Sequence, residues 1–481
     1  MNDIRRTILW VIFGFSMVLL WDQWQIHNGN KPTFFAPPPQ NAAAPAETKP
    51  GPDANGGVPA ASAASTQAQV PNQANNAAPR VRTTVKSDVL SLVIDSEGAS
   101  IAQADLLAYK DHIKQDSTMR LLDDARGQEY LAQSGLILSD AQAAAPTHRT
   151  PMRLVSKDTE LTPGQDKLEV VFESDPVGGM VLVKKYTLER GQYLVHSAFE
   201  VINKGNASVQ PQLYVQLVRN GNKPAGESAF YSTFTGPAVY TGQKKYQKVE
   251  FADIQKGKAE YEKQSSDGYV AMVQHYFASA WLLDNDVQRD IYARKIDENL
   301  YSVGMIRQLP AIEPGRSLQT QARLYVGPQQ EKKLEAIYPG LELVKDYGWL
   351  TILAKPLFWL LDQLHGLLHN WGWSIVALVV LIKAAFYWLN AQAYRSMAKM
   401  KAINPRVMEL RERMKDNPQQ MQMEMMKLYR EEKVNPMGGC LPIAIQIPVF
   451  IALYWVLLST VEMRDAAWLY IEIGRAHVRT P

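Results

Sequence analysis

The sequence lacks the residues on which many metalloproteins and enzymes depend. Its 481 residues include a single cysteine, Cys440, so no intrachain disulfide can form and no Cys/His cluster has zinc-site spacing. The motifs GxSxG, GxxxxGK[ST], HExxH and CxxC do not occur, and the histidines of the central region, including His148, His196 and His275, are isolated in sequence. We therefore expect no catalytic residues, no metal ion and no cofactor, and hence a protein that is not an enzyme.

The sequence also lacks a strong excess of charge of either sign. It has 51 Lys and Arg residues against 48 Asp and Glu residues, for a formal net charge of +3. A dedicated nucleic-acid-binding protein carries a clear basic excess. DNA is therefore not an expected partner.

The first 80 residues predict a membrane anchor followed by a linker. Arg5 and Arg6 precede an apolar run at 7–21, which is typical of a signal-anchor helix (residues 1–27) with a cytoplasmic N-terminus. A cleaved signal peptide is the alternative, although no small-x-small site follows Leu20 directly. Residues 28–80 are rich in Pro, Ala, Asn, Gln and Gly, so we expect a disordered linker.

Residues 81–330 predict a large β-sandwich. Short apolar runs separated by turn residues indicate strands at 89–94, 168–172, 181–188, 193–201 and 213–218. Turn residues at 189–191 and 203–206 predict that the last three of these strands form a meander.

The C-terminal part predicts three apolar helices and one basic hairpin. At 100° per residue, Lys355, Asp362, Gly366 and His369 form a narrow polar stripe, so residues 347–370 predict an amphipathic helix on the membrane surface. Residues 371–390 and 441–460 predict transmembrane helices. The segment between them, 391–436, holds ten Lys and Arg residues and is therefore expected in the cytoplasm.

The basic segment has the pattern of a helical hairpin. Asn-Pro pairs at 404–405, 417–418 and 435–436 each predict a helix start, with Asn as the cap and Pro at the first helical position. Apolar residues then recur every three or four positions: Met397, Met400, Ile403, Val407, Leu410, Met414, and again Met421, Met425 and Leu428. Many of the methionines are expected to pack the hairpin against itself, and a site for a client helix or a targeting factor is the alternative.

Lys383 lies inside an otherwise apolar predicted span. A lysine at the centre of a membrane helix costs about 2.5–3.5 kcal/mol, so its side chain is expected to face protein or water. A hydrated cavity that receives a polar or negative group is one interpretation, and snorkelling to the cytoplasmic interface is the other. Gln446, early in the third span, is either part of the same cavity or a hydrogen-bond partner of a neighbouring helix.

Several stretches of the C-terminal part resemble the YidC family of bacterial membrane protein insertases. They are SMAKM at 396–400, RERM at 411–414, EMM at 424–426, EKVNPMGGC at 432–440, QIP at 446–448, LY at 453–454 and VEMR at 461–464. The resemblance extends over residues 1 to about 471 and is tightest from 371 to 464. The order of anchor, linker, outer domain, surface helix, span, hairpin and span also resembles that family.

The resemblance implies a function and a set of site residues. It implies an insertase and membrane chaperone of the Gram-negative inner membrane that works alone or with the Sec translocon, without nucleotide hydrolysis. Lys383 stands where the family usually has a groove arginine, Tyr387 matches a groove tyrosine, and Val379 stands where a threonine is common. With Gln446, Lys383 and Tyr387 are the expected groove residues, and those of the hairpin are Met397, Met400, Arg411, Arg413, Glu424 and Met425.

The resemblance also implies partners and an orientation in the membrane, and it shows where the C-terminus differs from the family. The expected partners are newly made membrane proteins, lipids, the Sec translocon and a ribosome or targeting factor at the hairpin. The outer domain is expected in the periplasm with a mutarotase-like sandwich. Because the family continues with two more spans and a basic tail, we expect a C-terminally truncated chain whose residues 472–481 are an artefactual tail.

Two other functions compete with this interpretation. The sandwich could be the functional part of a membrane-anchored periplasmic binding module, with the helices serving as tethers. It could also be a mutarotase-like enzyme. The expected fold class is the same in each case: a multi-domain membrane protein with an α-helical transmembrane core, a cytoplasmic helical hairpin and a large periplasmic β-sandwich.

Overall fold

The computed structural model describes residues 80–111, 117–140, 143–224, 233–414, 417–432, 441–464, 466–468 and 471–472. The predicted anchor at 1–27, nearly all of the linker at 28–80 and nearly all of the tail at 472–481 lie outside these residues. The Asn-Pro pair at 435–436 and Cys440 lie outside them as well.

Two antiparallel sheets form the first part of the described chain. The first has the order β1-β2-β3-β5-β10-β17-β16-β13, with β4 paired to β3, and the second has the order β12-β11-β14-β15-β18-β9-β8-β7-β6. The strands of the first sheet are β1 (Arg82–Lys86), β2 (Leu90–Asp95), β3 (Ser100–Lys110), β4 (Thr118–Leu122), β5 (Tyr130–Leu138), β10 (Pro211–Asn220), β13 (Gln264–Ser265), β16 (Arg289–Asp297) and β17 (Leu300–Gln308). Those of the second are β6 (Met152–Leu154), β7 (Lys167–Ser174), β8 (Met180–Glu189), β9 (Leu194–Asn203), β11 (Gly236–Thr241), β12 (Lys245–Lys248), β14 (Tyr269–Val273), β15 (Phe277–Leu282) and β18 (Ser317–Pro328).

The two sheets share one hydrophobic core, so together they form the predicted β-sandwich. On β9, Val195, Phe199 and Val201 are fully buried, whereas His196 and Glu200 are partly exposed, which is the period of two expected of a strand with one face in the core. Trp281 of the second sheet is also buried in this core, and its indole Nε1 donates to the carbonyl of Gln216 in the first sheet at 3.0 Å. Apolar burial and a buried hydrogen bond thus connect the sheets.

The five predicted strands are present, but their predicted meander is wrong at its second step. β8 pairs with β9 as expected, whereas β10 pairs with β5 and β17 in the other sheet. At the end of β9 the side chain of Asn203 donates to the carbonyls of Ala207 and Ile312, both at 2.8 Å, and this turn leads the chain across to the first sheet. Every residue of β10 is buried, so its sequence has no solvent face to show which sheet it joins.

One short helix lies within the sandwich, and the other helices follow it. Two short ones, α1 (Phe251–Gln255) and α2 (Glu331–Ile337), pack on the sandwich core through Ile254 and Leu334. The others are α3 (Thr351–Leu368), α4 (Trp371–Ala385), α5 (Tyr387–Arg413), α6 (Pro418–Glu431) and α7 (Leu441–Ser459). Turns of 3₁₀ helix lie at Leu341–Val344, Gly348–Leu350 and Val461–Met463, and a small ladder pairs β19 (Ala467–Trp468) with β20 (Ile471–Glu472).

The helix starts agree with the sequence at one Asn-Pro pair and differ at another. Asn417 caps α6, because its side chain accepts the backbone N–H of Gln420 at 3.3 Å and Pro418 takes the first position. The predicted start at Asn404-Pro405 is wrong, since α5 continues through both residues. Both are exposed, so water can bind the carbonyl that the missing proline N–H leaves free.

The apolar helices are short or bent. In the part of the chain that the structure describes, no single helix is both long and apolar enough to cross a bilayer, whereas α4 and α5 together have the required length and composition. These two helices meet at Phe386 at an angle of 58°, so the segment predicted as one span at 371–390 is not one straight helix.

Candidate functional site

Three helices surround one small core beside the sandwich. α3 contributes Ala354, Phe358 and Leu361, and their partners come from both α4 and α7: Leu378, Ile382, Ala452, Leu453 and Val456. Helix α3 therefore packs against both of the other helices. Outside this core, Val380 and Leu381 of α4 and Ile445 and Ile447 of α7 are exposed.

Lys383 lies in the last turn of α4 and faces α7. Its Nζ atom is 5.0 Å from the ring centroid of Phe450, within the range of a cation–π contact. Its neighbours Val380 and Leu381 on α4 are 59% and 46% exposed. The cation thus lies in an apolar surface, and its nearest aromatic neighbour belongs to the helix that also carries Gln446.

Gln446 lies one helical turn before Phe450, on the same face of α7. Its side-chain Nε2 is buried and has no hydrogen-bond partner among the described residues. The alternative in which this amide donates to a neighbouring helix is therefore not observed in that part of the chain. A buried amide without a partner costs free energy, and a polar ligand or water would relieve that cost.

The third expected groove residue lies beyond the bend. Tyr387 is the first residue of α5, and its side chain is 72% exposed. The structure thus places Lys383 near Phe450, which lies one turn from Gln446 on α7, and it leaves Tyr387 at the exposed start of the next helix. Val379, one turn before Lys383, packs against the three-helix core.

Helices α5 and α6 form the predicted hairpin. Buried Ala393, Ile403 and Val407 lie on the inner face of α5, and Arg406 of α5 forms an ion pair with Glu432 at 2.5 Å. On α6 the half-buried residues include Met421, Glu424, Met425 and Leu428. Apart from Met397, the apolar rows seen in the sequence are buried or half-buried, as self-packing of the hairpin requires.

The expected hairpin residues divide between the inner and outer faces. Met400, Glu424 and Met425 are half-buried, whereas Arg411 and Arg413 are exposed and Arg413 contacts Glu409 at 2.7 Å. Met397 was expected in the inner row, but it is 43% exposed because Ser396 takes the inward position. The other exposed methionines are Met408, Met423 and Met426.

The amphipathic helix α3 has a polar face and an exposed apolar face. The polar stripe of α3 faces the sandwich at one point, where Asp362 accepts from Lys332 at 2.5 Å. Ile352, Trp359 and Leu367 are 86%, 61% and 75% exposed on the outer surface. An exposed apolar row of this kind is typical of a helix that contacts lipid.

Sequence reasoning missed two buried charged residues outside the groove. Lys184 is enclosed in the sandwich, and Lys345 lies beside the three-helix core, each with a fully buried side chain. Neither lysine was predicted as a site residue from the sequence. In the described part of the chain no group of three or more His, Cys, Asp or Glu side chains could hold a metal ion.

Comparisons with known proteins match the whole described chain. The family described as "YidC periplasmic domain" matches residues 82–360, and the family described as "60Kd inner membrane protein" matches residues 363–476. The chain is 52% identical to the membrane protein insertase YidC of Cupriavidus metallidurans and 49% identical to that of Bordetella pertussis. Each alignment covers 97% of this chain, and 83% and 84% of the two relatives.

A solved structure resembles part of the chain more distantly. A galactose mutarotase related enzyme from Lactobacillus acidophilus aligns with 51% of this chain and 97% of its own, at 10% identity and a TM-score of 0.34. A likeness at that level supports no conclusion about chemistry.

The family assignment rests on the close relatives. Their identity extends over the sandwich and the helices alike, and the matched families describe a periplasmic domain and an inner membrane protein. Membrane protein insertases are not enzymes, which confirms that expectation. The chain belongs to the YidC family of membrane protein insertases.

Proposed function

We propose that this insertase accepts part of a client protein in a hydrophilic groove between α4 and α7. The observation that carries the proposal is the position of Lys383, whose Nζ lies 5.0 Å from the ring of Phe450. One turn away on the same face, the buried amide of Gln446 has no partner among the described residues. A cation and an unsatisfied amide in an apolar surface are suited to a polar or negative segment.

The proposed mechanism is physical and needs no covalent step. A charged residue at the bilayer centre costs about 2.5–3.5 kcal/mol, and a cation in a hydrated groove offsets part of that cost for an acidic flank. Partition of the client's apolar segment into lipid then supplies the driving force. Lys383 therefore lowers a barrier, and the client's own hydrophobicity makes insertion favourable.

Lysine at position 383 should recognise a client differently from the arginine common in the family. Lysine keeps the positive charge of the arginine common in the family but offers no planar fork for two parallel hydrogen bonds. With Val379 in place of a threonine, the groove also has one hydroxyl fewer near the cation. We therefore expect recognition through charge rather than through bidentate geometry.

We further propose a multi-pass orientation with the sandwich in the periplasm and the hairpin in the cytoplasm. The exposed outer face of α3 supports a position at the lipid surface, and the ten cations of 391–436 support a cytoplasmic hairpin. Arg411 and Arg413, with the exposed methionines, are available to a ribosome or targeting factor. Cooperation with the Sec translocon belongs to the same proposal.

The test compares two substitutions of one residue. In a strain depleted of its own insertase, Lys383→Arg is expected to support growth and client insertion, whereas Lys383→Glu is expected to impair both. Lys258→Glu, on the exposed surface of the sandwich, makes the same charge change far from the proposed groove and should have no effect. Equal growth of the two Lys383 variants at equal membrane abundance would contradict the groove assignment.

A periplasmic binding module is the alternative, and one feature of the sandwich favours it. An open cleft of about 310 Å³ lies beside β1, β6 and β7, and its lining includes Thr83, Met152 and Phe172. Arg153, Glu173 and Asp175 line it as well. A cleft of that size can hold a small ligand, so this function requires a separate test.

A further inference from the structure

The segment that follows α7 is shared between two hydrophobic cores. Val461 is 1% exposed and belongs to the core of the sandwich, whereas Met463 is 3% exposed and belongs to the core of α3, α4 and α7. Arg464 lies over the rings of Tyr276 and Phe277, with centroids 5.6 and 5.2 Å away. The 3₁₀ turn at the end of α7 is therefore held on both sides.

Glu462, between these residues, pairs with a lysine that precedes α3. The side chain of Lys345 is fully buried, and its Nζ lies 3.7 Å from the carboxylate of Glu462. The same Nζ lies 3.7 Å from the ring centroid of Phe358 on α3. The ammonium is thus enclosed between the end of α7 and the first turns of α3.

The geometry of the Lys345–Glu462 pair does not favour a large contribution to the stability of the fold. Neither Lys345 Nζ nor Glu462 Oε2 has a hydrogen-bond partner among the described residues, and the nearby carboxylate of Glu331 accepts from Tyr347 at 2.8 Å. Burial lowers the pKa of Lys345 and raises the pKa of Glu462, so the enclosure disfavours both charges. Replacing such a charged pair by an apolar pair of similar volume often leaves stability unchanged or increases it. The pair is therefore better explained by a role in fixing the position of α7.

The position of α7 bears directly on the groove. Phe450 and the last residue of the helix, Ser459, are separated by about 14 Å along the axis at 1.5 Å per residue. A rotation of about 10° at the fastened end would move Phe450 by about 2 Å, given that length. The contact between Phe450 and Lys383 therefore depends on how the end of α7 is held.

We propose that Lys345 and Glu462 are positioning residues for insertion, which fix the angle between α7 and α3 and thereby hold the groove face of α7 opposite Lys383. The inference rests on the proposed groove and adds to it two residues that do not line it. Removing Glu462 leaves the buried ammonium of Lys345 without its ion pair, and removing Lys345 leaves the carboxylate of Glu462, whose side chain is 21% exposed, without its cation. Replacing both by apolar residues removes the conflict.

The experiment measures helix position and insertion in the same full-length variants, reconstituted in lipid bilayers. Spin labels on Ile352→Cys of α3 and Tyr454→Cys of α7, in a Cys440→Ser background, report the distance between the two helices by pulsed electron resonance. Both label sites are exposed, at 86% and 51%. Insertion is followed with a small single-span client that carries a short acidic flank.

The expected result is a pattern over four variants. Lys345→Met and Glu462→Gln should each broaden the distance distribution and lower the insertion rate by about tenfold, as expected when a buried pair is broken. Lys345→Met combined with Glu462→Met should restore both readouts to within about twofold. Lys167→Met, which breaks the exposed pair with Glu189, is the control and should change neither.

Three outcomes would overturn the inference. If the single variants kept the parent's distance distribution and insertion rate, the pair would not position α7. Broadened distances with unchanged insertion would show a structural role only. Failure of the double variant to recover would show that the two residues do not act as a pair. If the unsubstituted protein inserts no client, the proposed function itself fails, and the distances still report whether the pair fixes α7.

Discussion

The ammonium of Lys184 on β8 of one sheet donates to both the carbonyl and the hydroxyl of Ser134 on β5 of the other, at 2.7 and 2.8 Å. A third bond, to the carbonyl of Gly98 at 2.6 Å, satisfies its remaining proton. All three acceptors are uncharged, so the charge has hydrogen bonds but no counter-ion among them. Burial accordingly lowers the pKa of Lys184 from 10.5 to about 7.

This pKa predicts that the stability of the sandwich rises with pH. Between about pH 7 and 10 the unfolded chain holds a proton that the folded chain has lost, so the free energy of unfolding increases by up to about 1.4 kcal/mol per pH unit. Below pH 7 both states are protonated and the slope from this group vanishes. Urea unfolding of the sandwich at several pH values measures the slope.

Two matched variants isolate the contribution of Lys184. Lys184→Met should remove the slope and also lower stability by about 1–3 kcal/mol, because buried carbonyls lose their donor. Lys185→Met, at the neighbouring exposed position, should leave the slope unchanged. A slope that persists in Lys184→Met would assign it to another group.

The close packing of Trp468 on Gly372 leaves no room for a larger residue at the start of α4. A Cβ atom on Gly372 would lie 2.2 Å from ring atoms of Trp468 and 2.7 Å from its Cβ, so rotation of the ring alone cannot make room. Gly372→Ala should therefore destabilise the helices by about 1–3 kcal/mol, the usual cost of overpacking. Thermal unfolding in detergent measures the effect.

Gly366 on α3 provides the control for that substitution. A Cβ atom there would meet no atom within 4 Å, so Gly366→Ala should stabilise its helix by up to about 1 kcal/mol. Equal and small effects at both glycines would show that Trp468 does not pack on Gly372.

Two asparagines with the same following residue predict opposite effects in the hairpin. Asn417 caps α6, so Asn417→Ala should cost about 1 kcal/mol and speed amide exchange in the first turn of α6 several-fold. Asn404 is exposed within α5, where alanine is the better helix former, so Asn404→Ala should leave exchange unchanged or slower. Hydrogen exchange of the full chain measures both, and faster exchange after Asn404→Ala would restore the helix start predicted there.

These two asparagines also show where sequence reasoning succeeds and where it fails. The Asn-Pro pair is the same local signal at both sites, but Ile403 and Val407 flank the first pair and are buried against the hairpin. Packing of that continuous apolar row overrides the local preference of the pair for a helix start. The Asn-Pro pair thus predicted a helix start correctly at the site where no tertiary contact opposed it.

Contacts between residues far apart in sequence are the second feature that could not be predicted. Short apolar runs between turn residues identified β9 and its neighbours as strands, yet nothing in β10 indicates that its partners are β5 and β17. Likewise Lys383 was recognisable because it interrupts an apolar run, whereas Lys345 and Glu462 are far apart in sequence and each lies near other charged residues. Residues that disturb a local pattern can be found from sequence, and pairs formed only by the fold cannot.

Deletion of residues 81–330 distinguishes the insertase from the periplasmic binding module. The core shared by α3, α4 and α7 contains no residue from that range, and the Lys345–Glu462 pair lies outside it as well. The deletion removes the sandwich contacts of Val461, the bond from Arg464 to the carbonyl of Lys110 and the rings of Tyr276 and Phe277 beneath Arg464. It also removes the ion pair between Lys248 and Asp346. We therefore expect the shortened protein to keep most of its insertion activity in the depleted strain, and to lose that activity when Lys383→Glu is added. Complete loss of function on deletion, at normal membrane abundance, would favour the binding module with its cleft beside β1, β6 and β7.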